Sequence, residues 1–311
     1  EANALYGSAA LDLPRRGVFR VHGGIGSLAK TLATWIVDHG GQVLYRREVQ
    51  KIDHTRQGRF IVHTNKQDEI EAGRVVANVT PWALLELLND EAPNSLRREV
   101  SYRRPTWGAF MLYLGLDRTA LPADLANHHQ VIVDGEKSLG EGNSIFISLS
   151  DAADEQRAPV GKTAATLSTH TAVSPWWRLL NHGREQYLSQ RAEYAERMIA
   201  AAETALPGIG SAIDLCLPGT PVTFETFTRR PQGMVGGFPQ TSLFRVRGPK
   251  TGIPNLWLVG DSIFPGQSTA GVTLGAIRVA ADILGSDSSP ARISERRNTQ
   301  QPLRQARTFV P

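Results

Sequence analysis

Cysteine is nearly absent, with Cys216 the single one in 311 residues. An internal disulfide is therefore excluded. No cysteine cluster exists to hold a metal, and no metal site is expected. Cys216 lies in the apolar run Ile213–Leu217, where a buried, unreactive thiol is the default. Long apolar runs are missing too. None reaches the ~20 residues that a membrane-spanning helix needs, and no secretory signal is visible. Asn78-Val79-Thr80 matches the N-glycosylation triplet, but without such a signal it is not read as one. Charge is balanced to within +4, with a pI near 9.4. That is too mild to argue for nucleic acid, and a solvated mixed-charge surface accounts for it. With 41% hydrophobic and 21% charged residues, the chain falls in the ordinary globular range, and its length allows two domains.

Nucleotide-binding loops are also lacking. Gly24-Ile25-Gly26-Ser27-Leu28-Ala29 has no third glycine, and no clear strand leads into it. Val160-Gly161-Lys162-Thr163 ends like a P-loop, yet Gln156 stands where the first glycine is required, so ATP binding is rejected. The chain starts with Glu1 rather than Met, which implies a processed N-terminus or a piece of a longer protein.

The most informative stretch is Asn255 to Leu284. Leu256 to Val259 is a short continuous apolar run, the pattern of a strand buried on both faces. Gly260-Asp261 then allows a sharp turn and places a carboxylate at the strand's C-terminal end. After a loop with Pro265 and Gly266, Ser268 or Thr269 offers a capping oxygen. Val272, Ala276, Val279, Ala280, Ile283 and Leu284 recur at helical spacing behind it. Ligands of open α/β sheets sit outside the carboxyl ends of strands, where a helix N-terminus presents free amides and a positive dipole end. The pattern suits a polar, electron-rich ligand: Asp261 accepts from hydroxyls, and the amides near Gly271 and Val272 donate. A plain buried strand–loop–helix with Asp261 as a cap is the competing reading.

GDSIFPGQSTAGV resembles the C-terminal flavin motif of the carotenoid desaturase and isomerase group within the amine-oxidase-like FAD oxidoreductases. The resemblance implies that the Asp of the Gly-Asp pair holds the ribityl chain of FAD, while helix-start amides face the flavin pyrimidine edge. It assigns cofactor contacts to Gly260, Asp261, Gly266, Gln267, Thr269, Ala270, Gly271 and Val272.

Near the start, Arg20-Val21-His22-Gly23-Gly24 leads into a helix on which Leu28, Leu32, Trp35 and Ile36 share a face, stopped by Gly40-Gly41. Val43-Leu44-Tyr45 and Val49–Ile52 read as strand and Arg59–Thr64 as another, followed by a third segment ending at Val75-Val76-Ala77-Asn78. This region resembles the second FAD-domain signature of the same group, which places an adenine-edge backbone contact at Val49. The strand ending at Asn78 resembles the element that re-enters the cofactor domain. Thr80-Pro81 fits an N-cap with proline at the first helical position, and Leu84, Leu87 and Leu88 follow.

From Ser101 onward the texture changes. Phe110–Leu116, Gln130–Asp134, Ser144–Leu149 and Ala164–His170 are β-rich runs between turn clusters, which predicts a mostly antiparallel sheet. His170, before Trp176-Trp177, reads as a hydrogen-bonded strand-end histidine rather than an acid/base group. A long helix is expected from Arg184 to Leu206, with its apolar stripe in the core. TP…FETFTRRPQGMVGG also resembles carotenoid desaturases, and it gives Gly236, Gly237 and Phe238 a pocket-lining role. Beyond Leu284 a Ser-, Pro-, Gln- and Arg-rich stretch reads as a flexible basic tail.

The resemblance implies an α/β (α+β overall) chain with a discontinuous Rossmann-like FAD-binding domain, residues 20–89 and 251–284. A mostly antiparallel, β-rich substrate domain takes 1–19 and 90–250, with 285–311 as the tail. It further implies hydride transfer from a carotenoid or related polyene to flavin N5. A cofactor carries that hard step, so no catalytic side chain is named. Desaturation of the 3′,4′ type is favoured. Isomerisation with reduced flavin, another amine-oxidase-like flavoenzyme and a non-catalytic remnant binding lipid or a partner are the alternatives. An apolar polyene has to be drawn from a bilayer, so peripheral association with a cytoplasmic or plastid membrane surface is expected. One departure stands out: the family opens with a strand–GxGxxG–helix unit, absent here. The chain as given is accordingly expected to bind FAD poorly and to be inactive alone.

Overall fold

The computed structural model describes residues 21, 23–151, 154–239 and 246–285. Arg20, His22, Gln240 and the stretches 1–19 and 286–311 of the expected substrate domain and basic tail lie outside these residues.

The first element is helix α1 (Ile25–Asp38). Gly24 precedes it at φ 79°, and past its end the Gly41 amide turns back onto the Ile36 carbonyl at 2.9 Å. The expected stripe exists but is bare: Leu28, Leu32, Trp35 and Ile36 are exposed, and α1 buries no residue. An antiparallel meander follows, β1 (Val49–His54), β2 (Phe60–Thr64) and β3 (Glu69–Ala72). Val43–Tyr45 forms no strand, contrary to the sequence pattern. A strand needs a neighbour for its amides and carbonyls; here Leu44 and Tyr45 point into solvent with none beside them among the described residues.

The third expected segment splits at Gly73. Its second half, β4 (Val75–Ala77), leaves the meander and pairs in parallel with β10 (Leu256–Leu258). Helix α2 (Pro81–Leu88) starts as its sequence dictates, with Thr80 Oγ1 accepting from the Ala83 amide at 3.2 Å and Pro81 needing no acceptor. With α3 (Asn94–Ser101) it packs Leu84, Leu88, Ala92 and Leu96 against Ile52, Phe60, Leu256 and Leu258. This small core runs past the expected domain boundary at Asn89, because α2 and α3 share it.

The largest layer is a five-stranded antiparallel sheet in the order β6-β7-β8-β5-β9. Its strands are β5 (Trp107–Asp117), β6 (His128–Ile132), β7 (Ser144–Leu149), β8 (Lys162–Ala172) and β9 (Ile213–Gly219). Period-2 alternation puts Phe110, Leu112, Leu114, Ile145, Ile147 and Leu167 on one face. There α4 (Val173–His182) and α5 (Arg184–Ala202) cover them, with Trp176, Tyr187, Tyr194 and Met198 buried between. Phe110 lies 4.4 Å from Tyr194 and 5.4 Å from Trp176, centroid to centroid. Each such side chain contributes about 1.5–3 kcal/mol by leaving water. Helix α5 ends at Ala202 rather than Leu206. The Glu203 carboxylate turns onward to accept the Gly208 and Gly210 amides at 2.8 and 2.7 Å, opening the short α6 (Ile209–Ala212). Two more helices complete the fold, α7 (Pro221–Thr228), with a reciprocal Thr220–Thr223 capping box, and α8 (Thr269–Leu284).

Candidate functional site

Parallel pairing fixes the site's floor. Ala77 faces Leu258, and the Val259 amide donates to the Ala77 carbonyl at 3.0 Å. Both strands therefore end side by side, one at Asn78 and the other at Gly260-Asp261. The fit is tight. Gly260 has φ 99°, and a Cβ there would collide with Asn78 Oδ1.

A second loop closes on this floor from the far side of the chain. Gly237, at φ 70°, packs on the Asp261 backbone so closely that no Cβ fits. The Gly236 carbonyl accepts from the Gln267 side-chain amide, and a Cβ on Gly236 would lie 3.2 Å from that nitrogen. Asn78, Gly236, Gly237, Gly260, Asp261 and Gln267, separated by up to some 190 positions in sequence numbering, thus share one place. Phe238 does not line the site. It is buried with Trp82, 4.7 Å away, and Met234, with the Arg103 guanidinium 4.9 Å over its ring.

The start of α8 takes the first of its two expected caps. Ser268 is the cap: its Oγ accepts from the Gly271 amide at 2.9 Å, and its carbonyl accepts from Val272 at 2.8 Å. Those two donors are consumed inside the helix. The amides of Thr269 and Ala270, at the first two helical positions, are the ones left without an intrahelical acceptor. Gly266 and Gly271 are in mutual contact, with no room for a Cβ on Gly271. Val49 stands at the start of β1, partly exposed. Its neighbour Glu48 reaches Arg229 at 3.6 Å.

Sequence patterning does not single out Arg230. Its Nη2 donates to Asp261 Oδ1 at 2.6 Å, an ion pair whose side chains are 27% and 24% exposed. Nothing about spacing could reveal a contact across 31 residues.

His170 sits on the face of the large sheet opposite α4 and α5, exposed, and lines a small cleft with Trp107, Leu139 and Gly140. Its backbone carbonyl accepts from the Glu141 amide at 2.6 Å. The same face carries Met111, Tyr113, Phe146, Leu215 and Leu217, the last four half-exposed. A cavity of about 620 Å³ opens where it meets the first turn of α1, between Tyr113, His128, Ser148 and Thr166 on one side and Gly24 and Ile25 on the other. Cys216 is partly buried on β9, and burial pushes its thiol up, which keeps it protonated and unreactive. The described residues hold no group of histidines, cysteines and carboxylates that could bind a metal.

Residues 4–284 match the family described as flavin containing amine oxidoreductase. The chain is 32% identical over 279 residues to a chloroplastic prolycopene isomerase of Arabidopsis thaliana, covering 84% of this chain and 45% of the relative. To a neurosporene-forming phytoene desaturase of Cereibacter sphaeroides it is 27% identical, covering 86% and 54%. It thus spans about half the length of the curated relatives it matches. Among solved structures, an oxidoreductase from Methanosarcina mazei superposes with a TM-score of 0.57 at 18% identity, covering 83% of this chain and 54% of that one. A putrescine oxidase bound to putrescine gives 0.55 at 12% identity, covering 86% and 54%. These distant likenesses carry the fold. With a glycine-walled carboxylate at the carboxyl ends of parallel strands and a family match over nearly the whole length, the chain belongs to the flavin-containing amine oxidoreductases, in the group of the carotenoid isomerases and desaturases.

Proposed function

We propose that this chain supplies the ribityl- and ring-holding part of an FAD site in an oxidoreductase acting on a carotenoid or related apolar polyene. The observation that carries the proposal is the convergence of Asn78, Gly260-Asp261 and Gly236-Gly237 at the carboxyl ends of β4 and β10. The donor set fits the cofactor. Asp261 offers a carboxylate oxygen to a ligand hydroxyl, and the Thr269 and Ala270 amides offer donors and a positive helix end to an electron-rich ring edge. Glycines where a Cβ would collide let backbone approach closely. FAD, when bound, supplies the hydride acceptor, or the reduced ring in an isomerase. The protein's share is to orient, and to keep the site dry.

The face of the large sheet opposite α4 and α5 suits the substrate. Met111, Tyr113, Phe146 and Leu217 supply the apolar contacts of that face, interleaved with the small polar side chains of Thr166, Ser168 and Ser148. Desaturation and isomerisation use the same contacts. The greater identity to prolycopene isomerases favours the isomerase reading. The Trp257-Leu258 and Thr269-Ala270-Gly271 flanks, which resemble 3′,4′-desaturases, favour desaturation. Membrane association is part of the proposal because the substrate resides in a bilayer, while no described helix is long and apolar enough to cross one.

By itself the 311-residue chain is expected to hold FAD weakly, since no glycine-rich phosphate loop stands at a strand end. The test is an absorbance spectrum of the complete gene product, then product analysis with lycopene-type substrates. A flavin spectrum lost in Asp261→Ala supports the site. A product lighter by two hydrogens identifies desaturation, and an isobaric product with an altered spectrum identifies isomerisation. Absence of flavin from the complete gene product refutes the proposal. Full occupancy in the 311-residue chain refutes the expectation of weak binding.

A further inference from the structure

We propose that Arg230 is a positioning residue for the cofactor site, holding the Asp261 carboxylate so that one oxygen is fixed and the other faces the ligand; this rests on the flavin reading above. Three observations carry it. First, the arginine's backbone is held on both sides. Helix α7 before it is fixed by the Thr220 capping box and ends at Arg229 with φ 56°. The turn after it is locked: Gly233, at φ 67°, packs on Pro221 with no space for a Cβ, and Trp177 Nε1 donates to the Gln232 carbonyl at 3.1 Å. The Val235 amide then joins the Trp107 carbonyl of β5 at 3.1 Å. A side chain launched from so constrained a segment loses little further freedom on forming its contact.

Second, the pair is one-pronged. Arg230 Nη2 meets Asp261 Oδ1 alone. The described residues place no hydrogen-bond donor on Oδ2, which leaves that oxygen available to a hydroxyl. Third, Arg229 and Arg230 divide between two segments. Arg229 reaches Glu48, next to Val49, at 3.6 Å, while Arg230 reaches Asp261. The two consecutive cations tie the start of β1 to the loop after β10, the two places from which cofactor contacts are expected.

A single ion pair that is still partly open to water contributes little to folding. At a binding site the same pair acts differently, because a charge-assisted contact fixes the direction of an acceptor that the ligand must find. The test uses the complete gene product with its flavin removed and FAD titrated back, followed by flavin fluorescence quenching. Arg230→Gln is expected to weaken FAD by roughly 10- to 100-fold. Arg230→Lys should recover most of that loss, since a single N–H···O contact is within an ammonium's reach. In an Asp261→Asn background Arg230→Gln should cost nothing further. Thermal midpoints of the flavin-free variants should match the wild type to within a few degrees, which a purely structural role would not produce. An equal loss from Arg230→Gln with and without the Asp261 carboxylate overturns the proposal, because the arginine would then act on the ligand directly. So does unchanged affinity in Arg230→Gln when Asp261→Asn abolishes binding. Should wild type and all variants alike bind no FAD, the flavin reading itself fails, an outcome distinct from both.

Discussion

The five-stranded sheet and the β4–β10 pair face the same requirement, an apolar surface removed from water, and meet it to different degrees. The sheet lays one whole face against α4 and α5 and buries Phe110, Leu112, Leu116, Ile145, Ile147 and Leu167 completely. Among the described residues the parallel pair has two strands, and the amphipathic α1 buries no side chain. Parallel strands normally lie in sheets covered on both faces, and an amphipathic helix normally rests its stripe on a core. What distinguishes the regions is therefore completeness of layering, and the candidate site lies on the less complete one. Ligand contacts can be in place where the surrounding layer is thin, because strand ends, glycine turns and a capped helix set them locally.

Leu112→Ala offers the harshest way to break this contrast. It opens a cavity in the large core and should cost about 2–5 kcal/mol, whereas Trp35→Ser on the bare stripe should stay within about 0.5 kcal/mol. Urea unfolding of the 311-residue chain reads both. Equal costs would mean that the α1 stripe is covered in solution and that the two regions are alike.

A smaller effect tests the seam. Gly237→Ala puts a Cβ onto the Asp261 backbone at φ 70°, a strain of about 1–3 kcal/mol. It should abolish FAD binding by the complete gene product while leaving the large sheet's unfolding transition in place. Gly135→Ala, in a turn with open space around the glycine and no left-handed φ, should leave both unchanged. Flavin retention in Gly237→Ala would detach the Gly236-Gly237 loop from the site.

Much of this layout was legible before any coordinates. The sheet showed in period-2 alternation, and the Asp261 loop in a buried run that ends at Gly-Asp and restarts as a helix. Local chemistry decides those features, so a local reading finds them. The failures concern what depends on distant parts. Val43–Tyr45 has strand composition but no neighbouring strand among the described residues. Phe238 follows two site glycines yet finds Trp82, more than 150 positions away, as its partner. Which helix-start amides stay free depends on whether Ser268 or Thr269 caps α8, and with Ser268 as cap the Gly271 and Val272 amides bond within the helix. Arg230 was invisible because a charge's partner is chosen by the fold. Thr220-Pro221 carries the same cap-then-proline signal as Thr80-Pro81. The β-branched and aromatic residues behind it hide the helix that the capping box starts.

Acid should separate the regions only slightly, and in a direction the geometry fixes. At the end of β5 the Thr119 hydroxyl, then the Thr119 amide, then Lys162 bond the Asp117 carboxylate and hold it well below the usual range, at about 2. A carboxyl depressed on folding contributes stability above its unfolded value of about 4, and loses it as pH falls through the folded value. In the meander, Asp68 is held low by the Thr64 hydroxyl and then by Arg47, with the same sign. Both carboxylates are well exposed, so solvent and salt screen each contribution. Asp117→Asn should thus lower the urea midpoint by a constant small amount from about pH 7 down to about pH 5, and the gap to wild type should close between about pH 4 and pH 2. Asp68→Asn should show the same sign beside the smaller core. If the Asp117 gap instead widens toward low pH, the carboxylate is neutral in the fold, and the Thr119 and Lys162 contacts are not what hold that end of the sheet.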